Sequence, residues 1–427
     1  MEKKIKIFGL IPCGLLIAAE IIYLVHLPNY ALLILSGILV FNLIELPIIL
    51  FYLNRQKKTK RLYNISMFFT LFFFPLFFIL ILQDIFLPFK LAIVPAILTG
   101  GLILYFLIIE MKNKRIHIFQ ISYMHLYLFF IILLMINLPI TLQAPDYNYI
   151  SQKILPAYPK GKGPVIYFDE AHKNLHTLND RLLVTGNLLE SDGYKVKPLK
   201  SKISSDKILS NCKIFVINNA LNDKNVDDWT NPTFSAFTED EIENIKNWVE
   251  YGGSLLLIID HMPIPGAAYN LAKKFGFELK NGHAMAQPEK DNYFFRVKKT
   301  LSDNIITNGR NNSERIDSIL SFDGSGFIIP EDATSILTFD STYYQWDPKS
   351  AWELSSVKPY SIKGFSQGAY KKFGKGKIVL YGEAMMFTAQ LGAGLSWVKL
   401  GMNSEKCPNN YRLFLNTIHW LDGLIDK

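Results

Sequence analysis

Apolar residues are distributed along this chain in two ways, and the change comes at Gln143. Before it lie five long apolar runs, Ile7–His26, Ala31–Leu53, Ile65–Leu82, Leu91–Ile109 and Ile118–Leu142. A helix that crosses a bilayer needs roughly 20 mostly apolar residues, so each run predicts a transmembrane span. After Gln143 the apolar residues come in short runs separated by helical patterns and polar stretches, as in an α/β domain. The pattern divides the chain into a five-span helical domain at residues 1–143, a linker at 144–163 and an α/β domain at 164–427.

Charge orients these expected spans. The N-terminus carries Lys3, Lys4 and Lys6, a second segment carries Arg55, Lys57, Lys58, Lys60 and Arg61, and a third carries Lys112, Lys114 and Arg115. The intervening connections, Pro28–Tyr30 and Gln83–Lys90, hold only Lys90. The positive-inside rule then places the N-terminus in the cytoplasm, and an odd number of crossings places the α/β domain outside. The expectation is a multi-pass plasma-membrane protein whose partner is the lipid bilayer. The net charge of +8 is concentrated in the same basic connections, which argues against a nucleic-acid partner. Four further spans and the lack of a small-x-small cleavage site argue that the first run is retained. Glu20, Glu45 with the neighbouring Pro47, and His125 are the polar groups at depth, and nothing in their spacing spells a proton relay. With no internal repeat or paired broken helices, the first half reads as an anchor.

In the second half, Val165–Phe168, Ile214–Ile217, Ser254–Ile259 and Ile378–Tyr381 are short continuous apolar runs, the signature of strands covered on both faces. Helical patterns lie between them. Leu178–Asp192 stops at Gly193, Thr238–Tyr251 opens on an N-cap threonine with acids in its first turn, and Ala267–Phe275 stops at Gly276. The order predicts a doubly wound, mostly parallel, flavodoxin-like sheet with helices on both faces. Asn281–Ser350 breaks the rhythm and is expected to hold extra strands.

Such sheets bind ligands beyond the carboxyl ends of their strands. Here the strands run into Asp169-Glu170-Ala171-His172, with His176 just beyond; into Asn218-Asn219; into Asp260-His261; and into Gly382-Glu383. Carboxylates and imidazoles at three of four strand ends suggest a converging site. Two apparent motifs fail on context. Asp169-Glu170-Ala171-His172 spells a helicase acidic box, but the chain has no phosphate loop of the form G-x-x-x-x-G-K-[ST]. Gly364-Phe365-Ser366-Gln367-Gly368 spells a serine-hydrolase elbow, which needs strand, turn and helix, whereas Ala369–Phe373, the turn Gly374-Lys375-Gly376 and Ile378–Tyr381 read as a hairpin.

The segment from Phe237-Thr238-Glu239-Asp240 through Trp248 and Gly252-Gly253 to Asp260-His261 resembles the helix, Gly-Gly, strand unit of the class I glutamine amidotransferase-like superfamily. It is most similar to the branches without amidotransferase activity, the ThuA-like and membrane-associated DUF4350 types. Gly374–Phe387 and Asn410–Leu421 are similar to the closing strands and helix of those domains, and the resemblance covers most of residues 160–425. It implies the fold more than an activity. Glutaminase chemistry needs a cysteine on the turn after the central strand. That turn here carries Asp260 and His261, so the resemblance implies no glutamine hydrolysis, and His261 matches the histidine of the ThuA-like branch.

Two classes of function follow. In one, Asp169, Glu170, His261 and Glu383 are catalytic, Asn218, Asn219 and Asp260 bind ligand, and His172 and His176, four apart, hold a divalent metal or assist acid/base hydrolysis. The substrate class would be a carbohydrate or an envelope-derived molecule. In the other, the same rim binds a carbohydrate or an envelope protein without chemistry, as the scaffolding part of an envelope or transporter-associated complex. Tyr343, Tyr344, Trp346 and Trp352 are the aromatic candidates for stacking on sugar rings. The alternative for each polar residue is local: Asp169 and Glu170 capping a following turn, His172 and His176 hydrogen-bonding nearby, and Glu383 capping the helix that starts near Ala384. Cys212 and Cys407 are expected to be unpaired, His283 and His419 fall outside the site, and Arg310, Glu314 and Arg315 read as a solvated charge run.

Overall fold

The computed structural model describes residues 143–149, 154–287, 291–392 and 398–426. The chain divides into two units, Met1–Leu142 and Gln143–Lys427, and the described residues belong to the second. The five apolar runs, with Glu20, Glu45 and His125, lie outside the described residues. Among the described residues no helix is long and apolar enough to cross a membrane; the longest, Asn410–Asp422, has 13 residues. Among the described residues, then, the expected five-helix transmembrane fold is not found, and the multi-pass plasma-membrane placement and extracytoplasmic second unit that were built on it are withdrawn. The α/β part of the expected fold is present.

In chain order the described elements begin β1 (Gln143–Pro145), β2 (Val165–Asp169), α1 (Leu183–Ser191), β3 (Lys195–Leu199), β4 (Ile214–Asn218), α2 (Glu239–Glu250), β5 (Ser254–Ile258) and α3 (Ile264–Lys274). A strand-rich stretch follows: β6 (Glu278–Leu279), β7 (His283–Ala286), β8 (Asn292–Phe295), α4 (Ile305–Asn308), β9 (Ser318–Ser321), β10 (Phe327–Ile328), β11 (Thr334–Thr338), β12 (Tyr343–Trp346) and β13 (Tyr360–Ser361). The chain closes with β14 (Ser366–Phe373), β15 (Gly376–Tyr381), β16 (Ala389–Gly392), β17 (Val398–Gly401) and α5 (Asn410–Asp422).

Nine strands form the main sheet in the order β3-β2-β4-β5-β15-β14-β10-β6, with β11 also paired to β14. The first five are parallel neighbours. Numbered by their sequence within this parallel set, they stand 2-1-3-4-5, the flavodoxin-like order, whose direction of winding reverses between β2 and β4. The continuous apolar runs have a direct cause. In β4, Ile214 and Val216 pack on one face with Leu188, Leu189 and Leu413 of α1 and α5, while Phe215 and Ile217 pack on the other with Ile242, Ile245 and Leu271 of α2 and α3. Both faces of each central strand are therefore dry.

Local chemistry sets the helix ends. Thr238 caps α2, and Glu241 returns a bond to the Thr238 backbone, a full capping box. Helix α1 starts later than the apolar pattern implies, because residues 178–182 form turns. Ser366 lies inside β14, which pairs antiparallel with β15, and its hydroxyl donates to Ser335 Oγ at 2.8 Å. It is a strand residue and not a nucleophile elbow. Asn281–Ser350 contains β7 to β12, of which β7 and β12 join β13 in a small sheet of their own. Gln143–Pro145, at the expected start of the linker, pairs with β16.

Candidate functional site

Because β2, β4, β5 and β15 are parallel neighbours, their carboxyl ends deliver Asp169, Asn218, Asp260 and Glu383 to one rim. The side chains there fall into three groups with different environments.

The first group is closed. His172 is 2% exposed, with Nδ1 2.8 Å from Asp169 Oδ1 and Nε2 2.9 Å from Glu241 Oε1. Burial opposes charge on this ring, but the two carboxylates outweigh it and raise its pKa. Glu241 is also buried, yet its bonds to Thr238 and His172 pull its pKa down. Asn174 adds Nδ2 bonds to Asp169 Oδ2 at 3.0 Å and to the Asn218 carbonyl at 2.9 Å. Asp169, His172 and Glu241 thus clamp the β2 loop to the first turn of α2, with no ring nitrogen left over. Glu170 accepts the Leu178 backbone N–H at 2.9 Å and holds the turn before α1.

The second group is buried and under-partnered. Arg181 Nη1 lies 3.1 Å from His176 Nε2. Burial and the Arg181 charge push His176 well below its ordinary pKa, against the opposing influence of the neighbouring Asn218 amide. A neutral His176 accepts the Arg181 N–H on Nε2 and so carries its own proton on Nδ1. Among the described residues that Nδ1, Arg181 Nε, both terminal atoms of Asn218, and Asn219 Oδ1 are buried without a hydrogen-bond partner. Buried polar atoms are nearly always paired, so such a concentration marks a place where another molecule completes the bonding. Asn219 sits at φ +46, in the left-handed region, which turns the chain sharply after β4.

The third group was not foreseen as a group. The His261 ring stacks on His283, centroids 4.4 Å apart and planes 16° from parallel. His261 Nδ1 donates to the Met262 carbonyl at 2.8 Å, and His283 Nδ1 donates to Asp323 Oδ2 at 2.9 Å. Nδ1 is thus engaged in both rings; Nε2 of His283 is buried with no hydrogen-bond partner among the described residues. Trp229 and Trp352 stack on each other at 5.5 Å, and both approach His261, at 5.7 and 5.5 Å. Asp323 reaches the rim because the next residues are stitched to two strand ends: Ser325 Oγ donates to the Asp260 carbonyl at 3.0 Å and its N–H to the Gly382 carbonyl at 2.8 Å. Gly324 lies between them at φ +85, and a Cβ there would overlap the Gly382 carbonyl.

Asp260 links the second and third groups. Oδ1 accepts the His261 N–H at 2.8 Å, and Oδ2 faces Asn219 Nδ2 at 3.4 Å. Burial raises its pKa, nearby Asp323 adds to the rise, and His261 opposes it. Glu383 is held differently: Oε1 accepts the Met385 N–H at 2.6 Å, and Oε2 accepts those of Met386 and Phe322 at 3.1 and 3.3 Å. Burial drives its pKa far up, with Asp260 adding to the effect, and the backbone donors oppose it. It caps the turn after β15.

Of the expected site residues, then, Asp260 and His261 stand with His283, and Asn218 and Asn219 with His176, while Asp169, Glu170, His172 and Glu383 are held in local networks. His172 and His176 do not share a metal site: the nitrogens of His172 face carboxylates, and among the described residues no three His, Cys, Asp or Glu side chains are placed to hold a metal ion. His283 was set aside for want of a charged partner nearby in sequence, and its partner Asp323 is 40 residues away. Arg181, Trp229 and Asp323 lie in no motif. Among the aromatic candidates, Tyr343 and Trp346 are buried and Trp352 is 71% exposed. Glu314 is buried between Arg310 and Arg412, at 2.5 and 3.2 Å, and not on a solvated face. His419 is packed against Asp192 at 2.6 Å, and Cys212 and Cys407 are buried and unpaired.

The fold and rim define a flavodoxin-order α/β domain with a polar site at its strand ends. No protein-family model matches the sequence, and no curated protein matches it. Solved structures similar to it include the mmIFT52 N-terminal domain, at 14% identity and TM-score 0.43, covering 61% of this chain and 97% of that one. They also include ThuA-like proteins from Parabacteroides merdae, at 13% identity and TM-score 0.36, covering 62% of this chain and 92% of that one, and from Bacteroides uniformis, at 10% identity and TM-score 0.34, covering 62% and 94%. Likenesses this loose say nothing of activity.

Proposed function

We propose that the rim is an acid/base hydrolytic site for a carbohydrate. The observation that carries this reading is the His283–Asp323 pair, a buried imidazole oriented by a carboxylate at 2.9 Å, with its far nitrogen unpartnered. A base held by a second group is the arrangement that proton abstraction needs. His283 Nε2 takes a proton from water as the water oxygen bonds to the glycosidic carbon. The bond to the leaving oxygen breaks, and that oxygen takes the proton of Asp260, whose half-buried carboxyl is biased toward its acid form by desolvation. The exposed Trp352, backed by Trp229, supplies the flat apolar face on which a sugar ring stacks.

The test is turnover of a panel of neutral and acidic oligosaccharides by the full chain, with products followed by mass spectrometry. Hydrolysis that falls about 100-fold or more in His283→Asn supports the reading, since a positioned base contributes at least that much. Saturable binding without turnover would leave a ligand-binding domain in place of an enzyme. Neither turnover nor binding would remove the carbohydrate reading altogether.

A further inference from the structure

We infer that the rim also holds a carboxylate-recognition subsite, built by Arg181, His176 and Asn218, and that the sugar bound there is an acidic one. The inference rests on the carbohydrate reading and adds the substrate's charge. Its basis is an unusual guanidinium. The Arg181 side chain is 18% exposed; its Nε lies 4.0 Å from Asp180 Oδ2, too far for a hydrogen bond, and has no hydrogen-bond partner among the described residues. A largely buried cation whose nearest carboxylate is too distant to hydrogen-bond is only partly compensated for the cost of its burial. Arginine's planar fork fits a carboxylate, and a bound carboxylate would offset that cost with charge-assisted bonds.

The neighbours of Arg181 are donors as well. Nη1 is used on His176 Nε2 at 3.1 Å, which leaves the proton of the neutral ring on Nδ1, beside the Asn218 amide. Asn218, 1% exposed, adds an unpartnered Nδ2. Two donors therefore lack acceptors, Arg181 Nε and Asn218 Nδ2, beside a His176 ring that faces the Asn218 amide. The unpartnered oxygens of Asn218 and Asn219 suit sugar hydroxyls at the edge of the same place.

Position agrees with chemistry. His176 and Arg181 follow β2, and Asn218 ends β4, so the donors flank the point where the winding of the sheet reverses. The two loops are tied together by the Leu175 N–H on the Asn219 carbonyl at 3.0 Å and the Leu221 N–H on the His172 carbonyl at 2.8 Å, so the donors are held before any ligand arrives. Asp260 is near enough to influence the Arg181 charge, and this connects the subsite to the acid/base pair. One guanidinium with neutral donors matches a single negative charge, as on a uronic acid, better than the double charge of a phosphate.

The experiment is isothermal titration of the full chain with D-glucuronate, D-glucose and inorganic phosphate at pH 7. Glucuronate is expected to bind at least tenfold more tightly than glucose. Arg181→Gln is expected to remove that preference while glucose binding persists, and Asn218→Ala, which leaves the charge in place, to reduce it. Equal affinity for glucose and glucuronate would overturn the carboxylate subsite and leave the carbohydrate reading standing. Phosphate binding as tightly as glucuronate would overturn the acidic sugar in favour of a general anion site. Binding of neither sugar would bring down both readings.

Discussion

His172 and His176 are four residues apart on one loop, and the fold drives their charges in opposite directions. The first ring is gripped by Asp169 and Glu241 at 2.8 and 2.9 Å. The second receives a guanidinium N–H at 3.1 Å in a fully buried setting. Spacing that looks like a pair on one helical face thus becomes one histidine favoured as a cation and one held neutral. The two leave distinguishable marks on stability.

The pKa of His172 is raised in the folded chain above its ordinary value of 6.5. Its contribution is therefore fully present below pH 6.5 and is lost as pH rises through the raised value. His172→Gln is expected to cost about 1.5–3 kcal/mol below pH 6.5, the usual worth of a hydrogen bond to a charged group. It is also expected to flatten the alkaline loss. Urea unfolding at a series of pH values from 6 to 9 checks both, and an unchanged slope in the variant would remove the clamp.

For His176 the sign reverses. Its folded pKa lies well below 6.5, so the unfolded chain takes up a proton that the folded chain refuses. Stability is present above pH 6.5 and falls as pH drops from there toward the folded value. The same titration of His176→Asn, extended to pH 5, is expected to show a shallower acid loss than the parent chain. A steeper one would mean that the ring is charged in the fold.

Glu383 separates a structural carboxyl from a catalytic one. Glu383→Ala leaves the buried N–H group of Met386 and the part-buried ones of Met385 and Phe322 without their acceptor. Each buried group left unpaired costs about 1–3 kcal/mol. The expected result is a large drop in the urea midpoint, with Glu383→Gln, which keeps one acceptor oxygen, falling between the two. A variant as stable as the parent would return Glu383 to the list of free site carboxylates.

The fold was legible because burial on both faces writes itself as continuous apolar runs, and because Thr238 and Gly252-Gly253 punctuate α2 clearly. The rim was legible only as a set of strand ends. Asp260 and His261 lie just past the end of β5, so their position could be read from the chain. His283 could not: its meaning comes from Asp323 across a turn between other strands, and from the stack with His261. Sequence distance hides such pairs, and it also hid the role of Arg181, which depends on what its guanidinium lacks. Asp169 and His172, three residues apart, bond to each other, and Glu241, 69 residues from His172, closes their network in a way that spacing along the chain does not show.

The central claim, that His283 backed by Asp323 does the proton chemistry while Trp352 holds the sugar, is tested most directly by steady-state kinetics of two variants on whichever oligosaccharide the chain hydrolyses best. His283→Asn is expected to lower kcat about 100-fold or more with KM little changed. Trp352→Ala is expected to raise KM with kcat largely kept. A His283→Asn chain that turns over at the parent rate would contradict the account.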